Sequence, residues 1–283
     1  MLSIVIPSKN EKFLIKTVKD ILEKATGEIE VYPVLDGYEP DEIFDDPRVH
    51  WVRFPPTQYS KKRQAINLVA QISNGEYLMS SDAHCMYAKG FDEALTKDLK
   101  DNWVAVPRRH RLDAENWSLQ TQVDNRPPID YEYLMWPKKF NPPAFHGFKW
   151  DAKTLEKKDV MIDDIIEIQA SCWVMSKKHF FNMGFMQIEG YQGWGQEGEE
   201  ICMTTWYKGG RVVVNKNTWY AHLHKGPTYG RMYFLDRNET RHSYEYAYDL
   251  WVNKRKDFFV SLIEKFGPMP GWPENWKDEL YNK

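Results

Sequence analysis

The chain is poor in cysteine, has no long apolar run and carries little net charge, and each shortage excludes something. Its 283 residues hold three cysteines, Cys85, Cys172 and Cys202, far apart and without a CxxC pair. Neither a disulfide framework nor a zinc knuckle is expected from that spacing, and a reducing compartment fits it. No window approaches the length of a membrane span, and the opening MLSIVIPSKN has a short apolar run with no basic stretch before it. The sequence therefore predicts no export signal, no membrane span and a cytoplasmic location. A formal charge of −3 argues against a whole-protein electrostatic grip on nucleic acid or an anionic membrane, so any such binding must be regional. Internal repeats and low-complexity tracts are also missing.

Aromatic residues are abundant, with 12 Trp, 16 Tyr and 14 Phe. Rings with a polar edge suit sugar stacking and ordinary core filling alike. The length fits one large domain. LSIVIPS reads as a strand, LIKTVKDILEKA as a helix, EIEVYPVLDG and VHWVRF as strands, KKRQAINLVAQIS as a helix and GEYLMSS as a strand. Strands alternating with helices predict an α/β domain with a mainly parallel sheet, in which ligands collect at the carboxyl ends of strands. Asp36 and Asp82 both fall at such ends. Residues 107–165, rich in Pro, aromatic and basic residues, read as an elaborated loop region. Strand signals return at EIQASCWVMS, RVVVN and TWYAHLH, with helices at KKHFFNMG and before Gly209 and Gly210. The chain after Trp251 reads as a helical, Trp- and Pro-rich tail over 251–283, packed on a domain of residues 1–250.

The chemistry concentrates in YLMSSDAHCM and YAHLHK. In an extended segment Asp82 and His84 face the same way, as do His222 and His224. An aspartate and imidazoles at strand ends can share one divalent cation, and mixed carboxylate and imidazole ligation suits manganese better than magnesium. A lone histidine is more often an ordinary surface or capping residue. The natural work of such an ion is to neutralise charge on a departing diphosphate.

SIVIPSKNE, NGEYLMSSDAHC, QASCWVM, GWGQEGEEICMTTW and AHLHK occur in the order found in nucleotide-sugar glycosyltransferases of the GT-A fold. Over roughly residues 1–250 the chain resembles the catalytic domain of the polypeptide N-acetylgalactosaminyltransferases and family 2 glycosyltransferases. The resemblance implies a GT-A type Rossmann-like sandwich and a UDP-sugar donor used with Mn2+ or Mg2+. It also implies that Asp82, His84 and His222 are metal ligands. Pro7, Lys9 and Asp36 match positions that hold the uridine, and Arg63 matches a basic residue of the helix before the metal motif. Lys225 stands where the family has an arginine reaching the diphosphate. Trp194 and Glu197 match a tryptophan and a glutamate beside the donor sugar, and Ala170 and Ser171 replace a glycine pair facing it.

Gly198 replaces the family's asparagine and offers no side chain as a base, which favours transfer with retention. Glu197, Glu199 or Asp164 are the other carboxylates considered for that role, whereas Glu199 and Glu200 are explained by the helix dipole. The acceptor is a hydroxyl on a glycan, a protein or hydroxymethylated viral DNA, the last drawing on the basic runs at Lys61 and Arg108. The rival readings are a sugar-nucleotide or carbohydrate binder without turnover and a metal-dependent phosphohydrolase.

Overall fold

The computed structural model describes residues 1–120, 127–192 and 195–281. The first half alternates as its apolar pattern requires: β1 (Leu2–Ser8), α1 (Leu14–Lys24), β2 (Ile29–Asp36), β3 (Val52–Phe54), α2 (Lys62–Ile72) and β4 (Tyr77–Ser81). Then come β5 (Cys85–Tyr87), α3 (Phe91–Thr96), β6 (Trp103–Asp113), β7 (Ser118–Leu119), β8 (Glu132–Leu134), β9 (Gly147–Lys149), α4 (Asp151–Glu156) and β10 (Ile162–Asp164). The remainder is β11 (Cys172–Ser176), α5 (Lys177–Met183), α6 (Glu197–Tyr207), β12 (Arg211–His222), α7 (Gly226–Tyr229), α8 (Arg237–Tyr248), α9 (Lys256–Phe266) and α10 (Trp276–Tyr281).

The main sheet runs β10-β12-β6-β11-β4-β1-β2-β3, with β5 added to β12 and β7 to β6. Only β10 and β11 of the eight strands in that row run against the others, so the sheet is mainly parallel. The carboxyl ends of β1, β2, β4 and β12 consequently share one edge with the start of β11. Every residue of β2 is buried and β1 is nearly so, because helices cover both faces of such a sheet. Ile4, Ile6, Leu14, Val18 and Val31 build one apolar layer. Val5, Val34, Ile66, Val69 and Trp173 build another.

Two local expectations change. Residues 107–113 belong to β6, where Arg108 and Arg109 are tolerated because Asp130 and Glu132 pair with them at 2.7 and 2.8 Å. RVVVN and TWYAHLH form one strand, β12, whose register shifts between Asn215 and Trp219 opposite Pro107, the residue that cannot donate to a ladder. In the C-terminal part, Trp251, Phe259, Leu262, Ile263 and Leu280 pack with Leu134, Trp136 and Phe145. No helix among the described residues is long and apolar enough to cross a membrane.

At the opposite edge, Glu30 fastens the turn between α2 and β4. Its carboxylate accepts from Ser3 Oγ and the Asn74 backbone N–H at 2.6 Å, from Tyr32 at 2.9 Å and from the Gly75 N–H at 3.0 Å. Gly75 is needed there, since a Cβ would lie 2.3 Å from Ser3 Oγ. Burial by itself would raise the Glu30 pKa, but these hydrogen bonds outweigh it and bring the value down to about 2. A folded-state pKa below the unfolded one means that the carboxylate contributes stability above about 4.5, lost as the pH falls toward 2. Glu30→Gln is expected to remove on the order of 2 kcal/mol at pH 7 and to flatten the acid limb of a urea-unfolding pH series. An unchanged acid limb would refute that role.

Candidate active site

The shared carboxyl edge opens into a cavity of about 1060 Å³ lined by Pro7, Lys9, Asp36, Arg63, Asp82, His84, Ala170, Ser171, Glu197, His222 and Lys225. The structure thus brings together the described residues that the resemblance assigns to metal and donor; Trp194 lies outside the described residues. At the cavity's centre, one ligand atom each from Asp82, His84 and His222 lies within 4.8 Å of the others. The Nε2 atoms of His84 and His222 are 3.1 Å apart, and the His222 Nε2 is 3.4 Å from Asp82 Oδ2. Asp82 and His84 flank a turn after β4 rather than occupying an extended segment, so their convergence comes from the turn. His222 ends β12, which pairs with β5, and the Leu223 N–H donates to the His84 carbonyl at 3.1 Å.

The electrostatics suit a cation. Burial drives the His222 pKa down to about 3 despite the pull of Asp82, so at neutral pH its ring nitrogens are not both protonated. Burial also works against the Asp82 carboxylate, but Lys62 and a hydrogen bond from His222 hold its pKa well below the usual carboxylate range. A bound cation would displace the proton that His222 shares with Asp82, leaving two facing imidazole nitrogens and a carboxylate oxygen to supply electron pairs, as metal ligation requires. The Nδ1 of His222 is buried and without a hydrogen-bond partner.

Three further residues complete the arrangement, and sequence reading did not single them out. Glu11 lies 3.3 Å from His84 Nδ1 and accepts from Lys225 Nζ at 2.5 and 2.7 Å. Lys62 donates to Asp82 Oδ1 at 2.8 Å and to the Ala170 carbonyl at 3.2 Å. Tyr233 lines the same cavity, and burial raises its pKa to about 12. Glu11 closes the SKNE run and Lys62 is the second residue of KKRQ, so both were visible. What was missing was a reason to read them as anything but solvated charge.

Toward β2, Lys9 donates to the carbonyls of Thr57 at 2.8 Å and Asp36 at 3.3 Å. Asp36 Oδ2 takes the Lys61 N–H at 2.9 Å, while Asp36 Oδ1 is buried without a partner. Ser171 does not turn its hydroxyl freely into the cavity, because it pairs with Tyr220 at 2.8 Å. Glu197, the first residue of α6, is buried on the cavity wall.

Several expectations are corrected in detail. Arg63, on the cavity wall, is buried, ion-paired with Glu200, and set against the Tyr191 ring at 4.6 Å. Glu200 is accordingly more than a dipole partner, since its other oxygen takes the Gln187 N–H at 2.7 Å. Glu199 is not on the cavity wall; burial, with Glu197 and Glu132 adding like charge, raises its pKa to about 8. Asp164 is engaged with Arg211 at 2.7 Å and Lys265 at 2.9 Å, away from the cavity. A Cβ at Gly198 would lie 2.1 Å from the Ile168 carbonyl oxygen, so packing demands glycine there. The basic runs are largely paired internally, with Lys62, Arg63, Arg108 and Arg109 all meeting carboxylates.

The fold has known counterparts. The crystal structure of GalNAc-T7 with UDP, GalNAc and Mn2+ superposes with a TM-score of 0.67 at 19% identity, covering 100% of this chain and 54% of that one. This chain therefore spans about half the length of that protein, and the likeness shows a shared GT-A architecture. S. aureus TarS is more distant, with a TM-score of 0.49 at 12% identity over 79% of this chain and 37% of its own. The sequence model for glycosyl transferase family 2 matches residues 3–178, a span that includes β1, the Asp82–His84 turn and β11. The chain belongs to glycosyl transferase family 2.

Proposed function

We propose that the protein is a metal-dependent glycosyltransferase that moves a sugar from a UDP-sugar to a hydroxyl acceptor with retention of configuration. The observation that carries this reading is the meeting of Asp82, His84 and His222 inside a cavity whose far end holds a buried, unpartnered Asp36 oxygen. That oxygen suits an N–H of a pyrimidine base, with Pro7 and Lys9 beside it. The donor class is also that of the GalNAc-T7 complex, which holds UDP and Mn2+.

Asp82, His84 and His222 would hold Mn2+ or Mg2+, and the bound ion would supply Lewis-acid neutralisation of the departing diphosphate. Lys225, steadied by Glu11, and Lys62, steadied by Asp82, add fixed positive charge to the same region. Glu197 is assigned to the donor sugar, with Ala170 and Ser171 bounding its space. In the transfer, the bond from the anomeric carbon to the phosphate oxygen breaks and the bond to the acceptor oxygen forms on the same face. The acceptor proton passes to the departing phosphate, because the glycine at position 198 leaves no side chain there to take it.

A thermal-shift screen of UDP, UDP-glucose, UDP-galactose and their N-acetyl forms, with and without Mn2+, tests the reading. A nucleotide at 100 times its Kd stabilises by about 2.7 kcal/mol, and the expected stabilisation depends on Mn2+ and vanishes with EDTA. UDP release under the same conditions separates an enzyme from a binder without turnover. Absence of any nucleotide-dependent shift would sink the proposal.

A further inference from the structure

A second cavity, of about 680 Å³, adjoins the first: Leu235 lines both. Its wall carries an aromatic cluster in which Phe140 and His146 lie 4.6 Å apart and His146 and Tyr244 lie 4.8 Å apart, with Arg237 and Thr240 also on the lining. Tyr244, on the wall of the second cavity, brings its hydroxyl to 3.5 Å from the point where a Cβ on Gly195 would be, two residues before Glu197 on the wall of the first. We propose that this second cavity is a carbohydrate acceptor subsite, in which a hexose ring of a neutral oligosaccharide stacks on the Phe140–His146–Tyr244 wall and its hydroxyls meet Arg237 and Thr240.

The proposal rests on the glycosyltransferase reading and names its acceptor class. Rings presenting apolar faces beside a few polar groups match the alternation of C–H faces and hydroxyl edges on a pyranose. A peptide that adds as a strand is bound chiefly by main-chain hydrogen bonds to an exposed sheet edge. Here the wall comes from side chains of α8, whose backbone is satisfied within the helix, and from a segment containing Pro142, which has no N–H to offer. The closeness of Tyr244 to the turn before Glu197 puts the stacked sugar next to the reaction centre.

The test uses the full chain without donor. Saturation-transfer NMR would be run with lactose, maltose, cellobiose and chitobiose at up to about 10 mM, where weak sugar binding is still read. A serine/threonine peptide and a hydroxymethylcytosine duplex serve as comparison probes. At least one disaccharide is expected to bind, and Phe140→Ala to weaken it roughly five- to tenfold, the size of one lost ring contact. Arg237→Ala, at an exposed position outside the core, is the second variant and is expected to weaken the same sugar. Failure of every disaccharide to bind, binding untouched by both variants, or binding of the peptide or duplex alone would each overturn the proposal. Because no donor is present, these outcomes are independent of the UDP-sugar screen, whose failure alone would remove the enzymatic reading.

Discussion

Asp82→Asn and His222→Ala should each cut transfer by about a hundred- to a thousandfold, the range seen when one preorganised electrostatic contact to a transition state is removed. Both should also abolish Mn2+-dependent thermal stabilisation. Asp82 is the more informative position because its two oxygens face different partners, Lys62 on Oδ1 and the imidazoles on Oδ2. The asparagine keeps the shape and an oxygen for Lys62 but loses the negative charge. His222→Ala leaves the strand pairing of β12 with β5 untouched, since that ladder is made by backbone groups. Melting of metal-free His222→Ala should stay nearer that of the parent chain than that of Asp82→Asn, which also weakens the ion pair with Lys62, so the histidine variant is the one that separates loss of the ion from loss of the fold. Near-parental transfer by either variant would remove the metal assignment.

The second large effect is on stability. Arg63 and Glu200 form an ion pair with both side chains about 95% buried or more, and Arg63 also donates to the carbonyl of Gly195 at 3.2 Å. Removing one partner strands the other as an uncompensated buried charge, so Arg63→Ala and Glu200→Ala should each cost about 3–5 kcal/mol in urea unfolding. The double variant should cost clearly less than the sum, because the second substitution removes the charge that the first left exposed to an apolar surrounding. Additive losses would mean that the two residues act separately. The pair spans α2 and the start of α6, and through Gly195 and Gln187 it fixes the approach to Glu197. Arg63, which also lines the cavity, thus acts as a strut between α2 and the start of α6.

Local sequence pattern carried the first half of the fold well. The apolar runs of β1, β2 and β4, and the helical spacing of α1 and α2, are short-range signals. They place Asp36 and the Asp82–His84 turn on one edge with no tertiary information. The walls of the cavity depend instead on distant meetings: Lys225 and Glu11 are 214 positions apart, and Arg63 and Glu200 are 137 apart. A charged residue whose partner lies so far along the chain looks like any solvated one, which is why Glu11 and the true setting of Arg63 could not be read. The same reasoning explains β6: arginines in a run with proline suggest a loop until Asp130 and Glu132 are seen beside them.

The Leu223–His84 backbone bond, continuing the β5–β12 ladder, has a thermodynamic meaning of its own. Two of the three candidate ligands hang on neighbouring main-chain segments whose spacing was set when the sheet formed. The backbone bonds of the sheet hold these two residues at their spacing, unlike a zinc finger, where capture of the metal and folding are one event. At the proposed site, cation choice would then be a matter of how well an ion fits a gap whose ordering entropy is met by the sheet.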